Sequence, residues 1–156
     1  MRIGRMAVAL IFLSLGQDVL AQRAEKNVVY GMYSGAALLL DVQYPAKPNG
    51  FGLVVIPGGG NIVMPGYDGA SNKDRQSSVF ALVPTLLEAG YTLFIPNYRS
   101  APGFVWPAPM QDVQRAVRYV RANATQYRID ADRLCAVGYS SGGQLAALLG
   151  LVDGPG

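Results

Sequence analysis

Residues 132–152 read "DRLCAVGYSSGGQLAALLGLV". An apolar run, 132–138, follows the turn "IDAD" and enters a bend, and an apolar helical stretch from Ser141 to Val152 leaves it. The bend, Gly138-Tyr139-Ser140-Ser141-Gly142-Gly143, carries Gly-x-Ser-x-Gly. At this glycine content roughly one chain in ten would match that pattern by chance, so the five residues alone are weak. Strand–turn–helix around them is the setting a nucleophile elbow requires. Gly138 and Gly142 remove bulk where the chain bends and let the helix pack close. Ser140 is pushed out at the carboxyl end of the strand. The Ser141 N–H lies at the start of the helix, where backbone N–H groups favour negative charge. A plain glycine-rich turn between strand and helix fits the same residues. The chain contains no histidine, the usual base for a serine hydroxyl.

Upstream, strand and helix signals alternate. "NVVYGMY" (27–33) and "ALLLDVQY" (37–44) are β-like, separated by Ser34-Gly35, and predict an antiparallel pair. "FGLVVI" (51–56) is a continuous apolar run, the mark of a strand buried on both faces. "YTLFIP" (91–96) is the next strand. Ser78 to Ala89 predicts a helix with Val79, Leu82, Val83 and Leu86 inward, stopped by Gly90. Met110 to Arg128 predicts another, with Val113, Ala116, Val117, Val120 and Ala124 inward and Arg115, Arg118 and Arg121 on a solvated face. The alternation implies parallel βαβ units and an α/β sheet. Gly58-Gly59-Gly60 follows "LVVI" directly. Three glycines let backbone N–H groups converge on one point, the requirement of an oxyanion hole. A Walker phosphate loop needs Gly-Lys-Ser/Thr, which is absent.

Composition narrows the classes. The 156 residues suit about one domain, and 51% hydrophobic with 15% charged residues excludes a disordered chain. The first 21 residues read as a secretory signal: Arg2 and Arg5, then "MAVALIFLSL", then Val19-Leu20-Ala21. The apolar run is 10 residues, against about 20 for a membrane span. Residues 22–156 are then the mature part, secreted or periplasmic. Removing the signal takes away Arg2, Arg5 and Asp18, so the formal charge of +3 falls by one. That balance does not suit nucleic acid. Cys135 is the single cysteine and, within "LCAVG", is expected in the core. One cysteine and no histidine argue against a His/Cys metal site, and no cofactor is expected.

Four motifs in order carry a resemblance. They are Pro57-Gly58-Gly59-Gly60, Asn97-Tyr98-Arg99-Ser100-Ala101-Pro102, Pro107 to Asp112 ahead of a helix, and Gly138 to Gly143. The sequence resembles the α/β-hydrolase superfamily, in its esterase/lipase branch related to hormone-sensitive lipase and bacterial feruloyl esterases, over about residues 27 to 152. Two positions depart from that branch: Pro57 stands at its loop histidine, and Tyr-Ser-Ser replaces Asp-Ser-Ala. The resemblance implies a mostly parallel central sheet flanked by helices. It implies a carboxylesterase mechanism with Ser140 as nucleophile and Gly59, Gly60 and Ser141 as oxyanion donors. Tyr98, Arg99 and Asp112 would hold the loop and helix in place, and Trp106 would line an acyl pocket or simply pack. The substrate would be a small-molecule ester.

In that fold the acid and the histidine follow the serine in the chain. Only Asp153 follows the elbow helix here. The chain therefore reads as the front part of such a hydrolase, stopping after the elbow helix and nearly inactive alone. Strand 132–138 would be left with a bare edge for a missing C-terminal half or a partner. A non-catalytic binding module, a split enzyme whose histidine comes from another polypeptide, and a prolyl-oligopeptidase-type peptidase remain alternatives.

Overall fold

The computed structural model describes residues 23–59, 72–74, 78–101 and 103–151. The signal-like segment, Gly60 and Asp153 lie outside the described residues. Five strands form one mixed sheet: β1 (Ala24–Tyr33), β2 (Ala36–Gln43), β3 (Gly52–Ile56), β4 (Thr92–Pro96) and β5 (Leu134–Gly138), in the order β1-β2-β4-β3-β5. β1 pairs antiparallel with β2, and β2 antiparallel with β4. β3 runs parallel to both β4 and β5. The expected β1–β2 hairpin turns at Ser34 and Gly35, both at positive φ (46° and 82°). That pair of angles matches the right-handed twist of the flanking strands.

β3 explains how the layers form. Its side chains alternate between faces, and all five residues are buried. Val54 and Ile56 join Leu40, Val42 and Phe94 against Val113, Ala116, Val120, Tyr127 and Leu145. Those helical residues come from α2 (Ala108–Ala122), α3 (Ala124–Tyr127) and α4 (Ser141–Leu151). Leu53 and Val55 join Leu93 and Ile95 on the other face, against Val79 and Leu87. Leu87 belongs to α1 (Val83–Glu88).

Three details differ from the sequence reading. The stretch after Ser78 is a 3-10 turn (Ser78–Leu82) before α1, not one continuous helix. Pro84 sits in the first turn of α1, where its missing N–H costs nothing. The change of pitch turns Leu82 outward, 47% exposed, and puts Leu87 in the core. The helix expected from Met110 to Arg128 begins at Ala108 and breaks at Asn123, whose side-chain amide donates to the Tyr119 carbonyl at 2.8 Å. Such side-chain-to-backbone bonds compete with the helix ladder. Of its inward stripe, Val113, Ala116, Val120 and Ala124 are buried, and Val117 is half-buried against the same core.

Cys135 is exposed rather than buried. In register it pairs with Leu53, so it lies on the sheet face that carries Leu53 and Val55. Val137 packs against that second cluster, but β5 is the outermost strand and Cys135 is left uncovered. The residue is apolar enough for a core, and the layer that would bury it does not reach it.

Candidate active site

The carboxyl ends of β3 and β5 meet at the bend. Ser140 has φ of +53° and is exposed. A non-glycine residue held there costs about 1–3 kcal/mol and persists only where its surroundings force it. Here they do. A Cβ on Gly138 would strike the carbonyl of Gly142, and one on Gly142 would strike that of Ile56. A Cβ on Gly58 would stand 2.5 Å from the Tyr139 carbonyl oxygen. β5, the first turn of α4 and the loop leaving β3 are thus locked backbone to backbone. The helix begins at once: the Gly142 N–H donates to the Tyr139 carbonyl (2.9 Å) and the Gln144 N–H to the Ser140 carbonyl (3.1 Å).

The glycine loop is tied down from two sides. The Tyr98 hydroxyl, 3% exposed, donates to the Pro57 carbonyl at 2.7 Å. The Gly59 N–H donates to the Ser141 side-chain hydroxyl at 3.1 Å. Ser140, Ser141, Gly138, Gly142 and Gly59 are therefore brought together.

Tyr98 is itself supported. Its carbonyl accepts from the Asn72 amide at 3.1 Å, and the Asn97 side-chain oxygen accepts from the Asn72 N–H at 2.8 Å. The buried Tyr30 hydroxyl donates to the Asn97 carbonyl at 2.7 Å, and burial pushes its pKa well above the usual phenol value. Next along, Arg99 grips Asp112, the fully buried carboxylate of α2. Nε donates to Oδ2 at 2.8 Å, Nη2 to Oδ1 at 2.7 Å, and the Arg99 backbone N–H to Oδ2 at 2.9 Å. A two-pronged pair of this kind fixes direction as well as distance. The hydrogen bonds that Arg99 donates to Asp112 raise its pKa further, and the guanidinium stacks 3.7 Å from the Tyr33 ring centre. Asp112 thus has every sign of a structural anchor for the 97–101 loop. Trp106 is 58% exposed, so it is not packed into the described core.

A separate cavity of about 410 Å³ is lined by Lys26, Asp41, Gln43, Lys73, Asp74, Phe80, Val83, Pro84 and Ile95. None of residues 138–142 lines it. Its buried pair is Lys73 and Asp41, with Nζ 3.1 Å from the carboxylate; exposed Asp74 lies 3.2 Å from Lys73 Nζ, and the exposed Lys26 Nζ lies 2.6 Å from Asp41. Among the described residues no group of three His, Cys, Asp or Glu side chains is arranged to hold a metal, and no helix is long and apolar enough to cross a membrane.

Two side-chain roles escaped the sequence reading. The sequence does not separate the Ser141 hydroxyl from the Ser141 N–H; its one signal is serine at a position where the branch has alanine. The Tyr98 hydroxyl reaches back across 41 positions to Pro57, and no local pattern encodes that.

The elbow, the glycine loop and the mixed sheet together define an esterase/lipase-branch α/β-hydrolase. The chain belongs to the BD-FAE family, whose model matches residues 40–155. It is similar to Esterase LipC of Mycobacterium tuberculosis, 32% identical over 130 residues, covering 81% of this chain and 29% of LipC. It is similar to Esterase LipQ of the same organism, 31% identical over 99 residues, covering 64% of this chain and 21% of LipQ. Among solved structures it resembles a truncated carbohydrate esterase from gut microbiota, with TM-score 0.69, 31% identity, and 85% of this chain on 44% of that one. The hyperthermophilic esterase of Pyrobaculum calidifontis shares the fold at TM-score 0.66 and 23% identity, with 83% of this chain on 38% of that one. The chain thus spans less than half the length of each. At the level of the family these are carboxylesterase-type hydrolases.

Proposed function

We propose that Ser140 is the nucleophile of a serine carboxylesterase whose proton acceptor lies outside this chain. The observation that carries the reading is Ser140 itself, exposed and held at φ of +53° at the junction of β5 and α4. Its Oγ attacks the ester carbonyl carbon, the carbonyl π electrons move to oxygen, and the hydroxyl proton passes to a base. Gly59, Gly60 and Ser141 N–H groups take the oxyanion. One such donor is worth roughly 100- to 1000-fold in rate. Collapse of the tetrahedral intermediate expels the alcohol and leaves an acyl-serine, which water then hydrolyses.

No histidine is present to accept the proton. Removal of a triad base lowers kcat by about a million-fold in a serine hydrolase of known type, and roughly 1000- to 10,000-fold acceleration over water survives from the oxyanion hole and binding. A histidine from a longer protein or a second polypeptide meets the need, and the open edge of β5 is where such a partner would dock. The similarity to a carbohydrate esterase makes acylated sugars the first natural substrates to test. The signal-like pattern of residues 1–21 favours export, and a secreted product would then begin at Gln22.

The test is hydrolysis of p-nitrophenyl acetate by this chain and by Ser140→Ala. The two should be nearly equal without added base. Imidazole at high concentration should raise the rate of the wild-type chain above that of the variant. A Ser140-independent rate under both conditions would remove the serine from the mechanism.

A further inference from the structure

The Ser141 hydroxyl accepts the Gly59 N–H at 3.1 Å, and Gly59 is one of the donors assigned to the oxyanion. Ser141 is buried, at 9% exposure, and Gly59 is half-buried, so the contact is partly shielded from water. A backbone donor that loses its partner forfeits the stabilisation of that hydrogen bond, which would favour reorientation of a glycine loop while no ester is bound. Glycine restricts its own backbone least of all residues, so a bond at Gly59 itself adds direction that the residue does not supply. The Tyr98–Pro57 bond fixes the root of the loop but lies two residues short of Gly59.

From this geometry we infer that the Ser141 hydroxyl is a positioning group that stands in for the oxyanion. It holds the Gly59 N–H aimed at the elbow while no ester is bound. It yields that N–H to the acyl oxygen as negative charge develops there. The exchange favours the reaction in one direction: a bond to a charged oxygen is roughly twice as strong as one to a neutral hydroxyl. Ser141 thus contributes twice, by its backbone N–H to the transition state and by its hydroxyl to the resting site. The second contribution rests on the esterase reading only for its purpose, not for its existence.

The experiment is amide hydrogen exchange by NMR on the intact chain, with Ser141→Ala and Ser141→Thr beside it. In the wild type the Gly59 amide should exchange markedly more slowly than an unstructured glycine. Ser141→Ala should speed that exchange about fivefold or more, leave the amides of Val54 and Phe94 unchanged, and be restored toward wild type in Ser141→Thr, which keeps a hydroxyl. A phosphonate bonded to Ser140 should shift the Gly59 amide resonance in the wild type. A wild-type Gly59 amide that exchanges at the unstructured rate overturns the inference even if neither variant folds. So does unchanged protection in a folded Ser141→Ala. Intact Gly59 protection together with a Ser140 that never reacts would instead leave the latch standing and remove the esterase reading.

Discussion

β3 and β5 are both short apolar strands of five residues, GLVVI and LCAVG, in opposite surroundings. β3 lies between β4 and β5 with helices on both faces, and every residue is buried. β5 has one neighbour, and two of its five residues, Cys135 and Ala136, are exposed. An apolar run therefore specifies a strand that fits a two-sided core. Whether it gets one depends on what the sheet places beside it. The comparison also bears on the proposed nucleophile, because the bend that carries Ser140 grows from the less covered strand. Its geometry is held by contacts reaching back from the fully covered one, through Ile56 and Gly58.

The covered region should fail first and hardest. Phe94 of β4 is 1% exposed and meets the Tyr127 ring edge-on at 5.0 Å. Phe94→Ala should cost about 3–5 kcal/mol in denaturant unfolding. A cost under about 1 kcal/mol would mean that the two-sided core is not formed as described.

Alkali should attack the same region. Burial, then the hydrogen bond donated to Glu25, pushes the Tyr44 pKa from 10.0 up to about 12. Burial first also raises those of Tyr30 and Tyr127. The unfolded phenols ionise first, so the unfolded state binds fewer protons and stability falls with rising pH. The contribution of Tyr44 is whole below pH 10 and is lost toward pH 12. Melting temperature followed across that window should drop, and Tyr44→Phe should make the drop shallower. A steeper drop in the variant would contradict the burial assigned to Tyr44.

The bend offers a smaller effect of opposite sign. Ser140→Gly relieves about 1–3 kcal/mol of left-handed strain and adds about 0.4–1 kcal/mol of unfolded-state entropy. The net should be a gain of about 1 kcal/mol in stability, read by chemical denaturation, with loss of any serine-dependent reaction. Destabilisation would mean that the Ser140 side chain is needed for folding. Smallest of all should be Cys135→Ser, within about 0.5 kcal/mol of wild type. In the native chain the Cys135 thiol should react with a thiol reagent without prior unfolding. A protected thiol would show that β5 is covered after all.

Much of this was legible in the residues. Apolar runs and glycine stops set out the described strands, and burial on two faces left its clearest compositional trace in β3 and β4, where all five residues are buried. The elbow was legible because close backbone approach admits only glycine at Gly138 and Gly142. What escaped depended on contacts distant in sequence. Leu82 faces outward because a 3-10 turn and Pro84 reset the helical phase. Cys135 is exposed because a layer stops short of it. The Ser141 hydroxyl meets Gly59 only once two loops 82 positions apart are folded together.

The central claim is that Ser140 is a positioned nucleophile waiting for a base. Covalent labelling tests it most directly: the chain is incubated with a fluorophosphonate, with and without imidazole, and the modified residue is mapped by mass spectrometry. One phosphonate on Ser140, accelerated by imidazole and absent from Ser140→Ala, is the predicted result. Labelling of Ser140 no faster than of Ser34 or Ser100, or none at all, would contradict the account.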